Sequence, residues 1–182
     1  MKKKLREKFL ILRNKKYFDL NNKCQKFIID QIKKICSLHK IKKIGIYSPI
    51  NFELNIIPIA NQLKSNFKIS LPVVGIKNKM TFRQWDLDEP LYINRFGILE
   101  PDQKNKVIKP TLILTPLLSF DKNKNRLGYG RGFYDRFLSS VSNSSKVISA
   151  GIAFSFQEEK IIPSERHDKK LDYILTEKYL IN

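Results

Sequence analysis

TLILTPLL, Thr111 to Leu118, and KVISAGIAF, Lys146 to Phe154, are continuously apolar runs of strand length. Strands apolar on consecutive residues are buried on both faces, which is the condition of a parallel sheet covered by helices. Four further segments read as strands: KKIGIYSP (Lys42 to Pro49), KISLPVV (Lys68 to Val74), MTFRQW (Met80 to Trp85) and, last in the chain, LDYILT (Leu171 to Thr176). Helical spacing separates them. Leu5, Phe9 and Leu12 share one face of a helix over 2–16. Asp19 is the expected cap of a second helix over about 20–38, with Phe27, Ile28, Ile32 and Ile35 on its stripe. ELNIIPIANQLK has helical spacing, with Pro58 in its first turn, where a missing N–H costs nothing. GFYDRFLSSV is helical again, while 86–109 reads as a long connection. The alternation predicts a single α/β domain over 1–182, a three-layer α/β/α sandwich around a mostly parallel sheet.

Ligands of such sheets bind beyond the carboxyl ends of the strands. Three segments leave an apolar strand and turn polar at once: Ser48 to Glu53, Ser119 to Gly132 and Gln157 to Asp168. They are expected at one edge. The second contains RLGYGRGFYDRFL, Arg126 to Leu138, which spends three of the chain's seven glycines in five positions between two arginines. Glycines let backbone N–H groups approach an anion, and a helix starting just after them adds its dipole. Arg126 and Arg131 offer charge-assisted contacts to phosphate oxygens, and Asp135 offers a hard oxygen to Mg²⁺. The spacing is that of neither a P-loop nor a dinucleotide fingerprint, and a plain Gly-rich turn remains the alternative.

Charge and cysteines bound the rest. Lys and Arg number 35 against 17 Asp and Glu, a net charge of +18. Such a balance suits a phosphate-rich partner, and a basic nucleic-acid-binding protein gripping phosphates with the Gly-Arg loop is the alternative function. The lysines are scattered over the whole length, as compositional bias would leave them, so no dedicated nucleic-acid partner is expected. No apolar run is long enough to span a membrane, and no apolar region follows MKKKLREKF, so a cytoplasmic chain without a secretory signal is expected. Cys24 and Cys36 lack metal-ligand or CxxC spacing and read as reduced thiols. His39 reads as a helix-end cap and His167 as loop.

RLGYGRGFYDRFL resembles the signature segment of the 5-formyltetrahydrofolate cyclo-ligase family, and the likeness runs along nearly the whole chain. KKKLR is similar to the family's basic opening, IYSPINFE to its folate-contacting loop, FRQW and NRFGILEP to its middle region, and AFSFQ with IPSERHDKKLD to its C-terminal segment. The resemblance implies a cytoplasmic monomeric ligase that uses ATP and Mg²⁺ to convert 5-formyltetrahydrofolate to 5,10-methenyltetrahydrofolate. It implies ATP contacts from Lys2, Lys3, Lys4, Leu5 and Arg6 and from Arg126, Leu127, Gly128, Tyr129, Gly130, Arg131, Gly132, Phe133 and Tyr134. It implies folate contacts from Ser48, Glu53, Trp85 and the Tyr129–Phe133 stretch, catalytic roles for Arg126 and Arg131, and metal ligation by Asp135 and Asp168. Each has a plainer account. KKKLR is a solvated helix end, Glu53 a cap for the next helix, Asp168 a surface charge, and Trp85 and Tyr134 core. The chain departs from the family at Arg131, where Lys or Gly is common, and at Tyr129, where some members carry Arg.

Overall fold

A computed structural model describes residues 1–76, 79–141, 147–165 and 168–182, so His167 lies outside the described residues. The chain opens with α1 (Lys2–Lys16) and α2 (Asn22–Leu38), then β1 (Lys43–Gly45), α3 (Ile57–Leu63), β2 (Lys68–Val74) and β3 (Met80–Gln84). A small hairpin follows, β4 (Tyr92–Ile93) and β5 (Leu99–Glu100), then β6 (Val107–Ile108) and β7 (Leu112–Pro116). The short pair β8 (Ser119–Phe120) and β9 (Arg126–Leu127) leads into α4 (Phe133–Val141). The chain ends with β10 (Ile148–Ile152), β11 (Tyr173–Leu175) and β12 (Leu180–Ile181).

Eight of these strands form one sheet in the order β12-β11-β10-β7-β1-β2-β3-β6. The five from β11 to β2 are parallel, and antiparallel β12 and β3 flank them. Alternation on the central strands divides the core. Leu112 and Leu114 face the side covered by α2 and α3, with Ile28, Ile32, Ile59 and Leu63. Ile113 faces the other side with Phe82, Leu138 and Ile174, under α4. The result is the expected three-layer sandwich. None of its described helices is long and apolar enough to cross a membrane.

Several local expectations change. Asp19 does not cap α2. Asn21 does, its side chain accepting from the Cys24 N–H at 2.9 Å, while Asp19 accepts from the Tyr17 hydroxyl. Residues 86–109 are not a bare connection. They hold the β4–β5 hairpin, and β6 pairs with β3 at the edge of the sheet. LDYILT is not the last strand, because β12 adds to it in antiparallel register. Pro58 does lie in the first turn of α3, and His39 follows the end of α2, its backbone N–H donating to Ile35. Both cysteines are free thiols, and burial pushes the Cys36 thiol up to about 12.

The centre of the sheet tolerates no added volume at Gly151. A Cβ there would sit 2.6 Å from Leu117, 2.8 Å from Leu171 and 2.9 Å from Ile174. Gly151→Ala should therefore lower unfolding free energy by about 1–3 kcal/mol despite alanine's better backbone entropy. Urea unfolding with an unchanged or raised midpoint would show that the site has slack.

Candidate functional site

One cavity of about 540 Å³ opens at the carboxyl ends of the central strands. All three polar segments reach it. Ser48, Ile50, Asn51 and Glu53 come from the first, Arg126 to Asp135 continue from the second, and Glu165 and Asp168 belong to the third. Helix α1 lies across this end and supplies Lys2 and Arg6. These two are four residues apart, so they share a helix face. Lys3, Lys4 and Leu5 point elsewhere and do not line the cavity, against the expectation of an unbroken KKKLR contact. Lys3 and Lys4 are solvated, as a charged helix end usually is.

The glycine loop, Gly128 to Gly132, runs between β9 and α4. Gly130 has φ +93° and Gly132 φ +63°, conformations L side chains rarely adopt. The Arg6 guanidinium packs against Gly130, where a Cβ would stand 3.1 Å from it. Arg6 Nε also donates to the Gly128 carbonyl at 2.9 Å. This loop is therefore a shaped edge of the cavity, held from above by α1.

Besides Glu53, three carboxylates line the same cavity: Asp135, Glu165 and Asp168. Asp135 pairs with Arg126 at 2.6 Å and accepts from the Lys169 N–H. Asp168 pairs with Lys2 at 2.6 Å, and Glu165 lies 3.0 Å from the same ammonium. Asp168 is thus paired across the cavity mouth with α1, not with a surface lysine beside it in sequence. Among the described residues no group of three or more His, Cys, Asp and Glu gathers to hold a metal. Two carboxylates beside a phosphate-sized cradle fit Mg²⁺, which keeps waters and shares its shell with phosphate oxygens rather than needing an all-protein cage. Arg126 has a side chain only 6% exposed, and its Nε has no hydrogen-bond partner among the described residues. Arg131, by contrast, is exposed and stacks over the Phe96 ring at 4.4 Å.

Glu53 is the buried end of the site, 4% exposed. Its position comes from a tight turn: the Glu53 N–H donates to the Ile50 carbonyl, and Glu53 Oε2 accepts from the Ile50 N–H, both at 2.9 Å. Asn51 and Phe52 at the middle of that turn both have positive φ, +46° and +60°. A non-glycine pair in this conformation is strained, and strain of this kind collects at functional sites. Glu53 does not cap α3, whose N-cap Ile56 makes no side-chain bond. Glu53 Oε1 instead accepts from the Tyr129 hydroxyl at 2.9 Å. Burial pushes the Glu53 carboxyl up to about 7, opposed by the Ile50 N–H, the Arg13 charge and the Tyr129 hydroxyl.

Trp85, expected against a pterin ring, is core instead. It is 4% exposed, its Nε1 donates to the Glu89 carbonyl, and it packs with the α2–α3 side of the sheet. Trp85 follows β3 at the end that lies beside Ile69, near the start of β2, whereas the cavity is lined by Val74 and Met80 at the other end of that pair. The aromatic wall is Phe96, from the β4–β5 hairpin, against Phe133 with centroids 5.5 Å apart. Sequence reasoning missed Phe96, Asn94 and Ile98, which line the cavity from a segment read as connection. It also missed Arg13 and Tyr47, which lie buried beside Glu53.

A carboxyl raised by burial stabilises the fold while protonated and loses that contribution as pH rises from its unfolded value through about 7. Glu53→Gln should therefore gain on the parent by about 2–3 kcal/mol of unfolding free energy between about pH 5 and pH 8. Denaturant unfolding across that range is the measurement, and a difference that does not change with pH would refute the burial cost.

The chain is similar to known proteins along nearly its whole length. The model of the 5-formyltetrahydrofolate cyclo-ligase family matches residues 1–177. A Haemophilus influenzae protein named 5-formyltetrahydrofolate cyclo-ligase is 35% identical over 141 residues, 74% of this chain and 75% of its own. A Mycoplasma genitalium protein of the same name is 31% identical over 155 residues, 78% of this chain and 90% of its own. The NMR structure of Aquifex aeolicus 5,10-methenyltetrahydrofolate synthetase superposes with a TM-score of 0.79 at 28% identity, covering 98% of this chain and 91% of that one. With the family's match spanning nearly all of its length, the chain belongs to the 5-formyltetrahydrofolate cyclo-ligase family.

Proposed function

We propose that this chain, as one catalytic domain, converts 5-formyltetrahydrofolate to 5,10-methenyltetrahydrofolate at the expense of ATP, with Mg²⁺. One observation carries the reading. A cationic glycine loop and a buried carboxylate share a cavity of about 540 Å³, within the size range of small-molecule sites. A loop built for phosphate and a floor built for ring N–H groups are what a phosphorylated folate intermediate requires.

The formamide oxygen of the substrate is a poor leaving group. The γ-phosphoryl moves onto it, breaking the bond to ADP and forming a new P–O bond. N10 then attacks the formyl carbon, the C–O bond breaks, inorganic phosphate leaves and N10 gives up its proton. Little covalent chemistry falls to the protein, whose work is alignment and charge neutralisation. The Gly128–Gly132 backbone, Lys2 and Arg6 bind the triphosphate, and Arg126 and Arg131 neutralise charge on the transferring group. Asp135 and Asp168 would hold Mg²⁺, which offsets phosphate charge when bound. Glu53 accepts from pterin N–H groups, with Ser48 beside it and Phe96 and Phe133 flanking the ring. The nucleic-acid alternative asks the loop arginines to face outward along a stripe; Arg131 is exposed, but Arg126 is turned inward and nearly sealed from solvent.

Mixing the protein with 5-formyltetrahydrofolate, ATP and Mg²⁺ should produce the near-ultraviolet absorbance of the methenyl product. Absence of product under those conditions removes the reading. Asp135→Asn, which keeps an oxygen for Arg126, should lose turnover with its circular dichroism unchanged. Glu53→Ala should weaken folate binding by about tenfold or more, since hydrogen bonds to a charged group contribute about 1.5–3 kcal/mol, and leave ATP binding nearly intact. Equal loss of both ligands in a titration would assign Glu53 to structure alone.

A further inference from the structure

Arg13 is fully buried, yet among the described residues no carboxylate lies within ion-pair distance of it. Its Nη1 donates to the Leu117 carbonyl at 3.3 Å, its Nη2 donates to the Tyr129 hydroxyl, and its Nε has no partner. A guanidinium taken out of water with so few bonds is costly, and an apolar residue would fill the same volume without that cost. Packing alone does not account for an arginine here.

The Tyr129 hydroxyl accounts for it. It accepts from Arg13 and donates to Glu53, which uses both sides of a phenol. The three side chains form a line: cation, phenol, carboxylate. The other titratable groups facing Glu53 are the phenols of Tyr47, which donates to the Leu54 carbonyl, and Tyr134. Neither carries charge at neutral pH, so Arg13 is the counter-charge of Glu53.

We infer that Arg13 is a positioning residue for folate recognition: through the Tyr129 hydroxyl it orients Glu53 and favours its ionised form as the acceptor for the pterin N–H groups. This rests on the function proposed above. Arg13 does not line the cavity. It acts through a residue of the glycine loop, so the nucleotide loop and the folate carboxylate share one hydroxyl.

The test has two readouts. In ligand-free protein, Glu53 is titrated by carboxyl ¹³C NMR, its resonance identified by its loss in Glu53→Gln. Arg13→Gln should move the midpoint upward by about one pH unit or more, since an opposite charge favours the ionised form. Folate affinity, measured by titration calorimetry against pH, should fall off at correspondingly higher pH in Arg13→Gln, while ATP affinity changes less than about threefold (under about 1 kcal/mol). Tyr129→Phe, which removes one oxygen and keeps the ring, should shift both curves in the same direction and covers the case in which Arg13→Gln fails to fold. An unmoved Glu53 midpoint overturns the inference, as does folate affinity lowered by one constant factor at every pH. A shifted midpoint in a parent protein that binds no folate overturns the proposed function instead.

Discussion

The Glu53 carboxyl is taken out of water with no cation among the described residues in ion-pair contact with it, and the upper part of the molecule is arranged around that burial. An ionised group in such a place is tolerated only where hydrogen bonds and a nearby opposite charge replace its hydration. The replacements come from separate stretches of chain. The turn after β1 gives the Ile50 N–H, the glycine loop gives the Tyr129 hydroxyl, and α1 gives Arg13. Each partner is positioned by an element that also forms a wall of the cavity. Removing any one of them exposes the cost of the others, which is how buried polar networks couple distant pieces of a fold.

A second set of charges lies at the cavity mouth and behaves differently. Lys2 with Asp168 and Arg126 with Asp135 are preformed pairs of opposite charge. Both are set into the cavity wall, and Arg126 is the more enclosed of the two cations. Their placement matters more than their strength. Each pair brings a cation suited to phosphate and a carboxylate suited to Mg²⁺ to one edge, with the charges balanced until a ligand arrives. The buried network fixes geometry, while the mouth pairs are free to exchange partners.

The sheet and its flanking helices were legible because their signals are local. β2 spans KISLPVV as read, and the continuous runs at β7 and β10 became central strands buried on both faces. The edge pieces were not legible. β4, β5, β6, β8, β9 and β12 are two residues long, too short for a period to register, and β6 depends besides on a partner, β3, distant in sequence. The glycine loop was read from its own residues and Lys2, Arg6 and Glu53 through motif resemblance, and the cavity is lined by all of them. Trp85 was misplaced because β3 runs antiparallel to β2, so its start, Met80, reaches the cavity and its far end does not, which the residue's chemistry does not reveal. The turn at Asn51-Phe52 carried no warning either, since no glycine marks its positive φ values. Arg13 was hidden in a run of charge, but a signal was present. Lys2, Arg6, Phe9 and Arg13 follow the spacing i, i+4, i+7, i+11, one face of a helix. Reading the face from Leu5, Phe9 and Leu12 followed hydrophobicity and missed that the functional face is mixed.

That mixed face explains why α1 stays in place. The helix buries only Phe9 and Arg13, far less apolar surface than α2 with its stripe of isoleucines. Apolar burial alone would hold such a helix weakly. Polar contacts fasten it at nearly every turn instead: Lys2 to Asp168, Arg6 to the Gly128 carbonyl, Lys8 to Glu159, and Arg13 to the Leu117 carbonyl and the Tyr129 hydroxyl. All of those anchors sit in or beside the loops beyond the strands. Since Gly130 leaves the space that Arg6 occupies, even the loop's glycine serves docking as well as anion approach. The attachment of α1 and the shape of the cavity are therefore one structural fact, and a ligand that orders the loops also tightens the helix that closes over them.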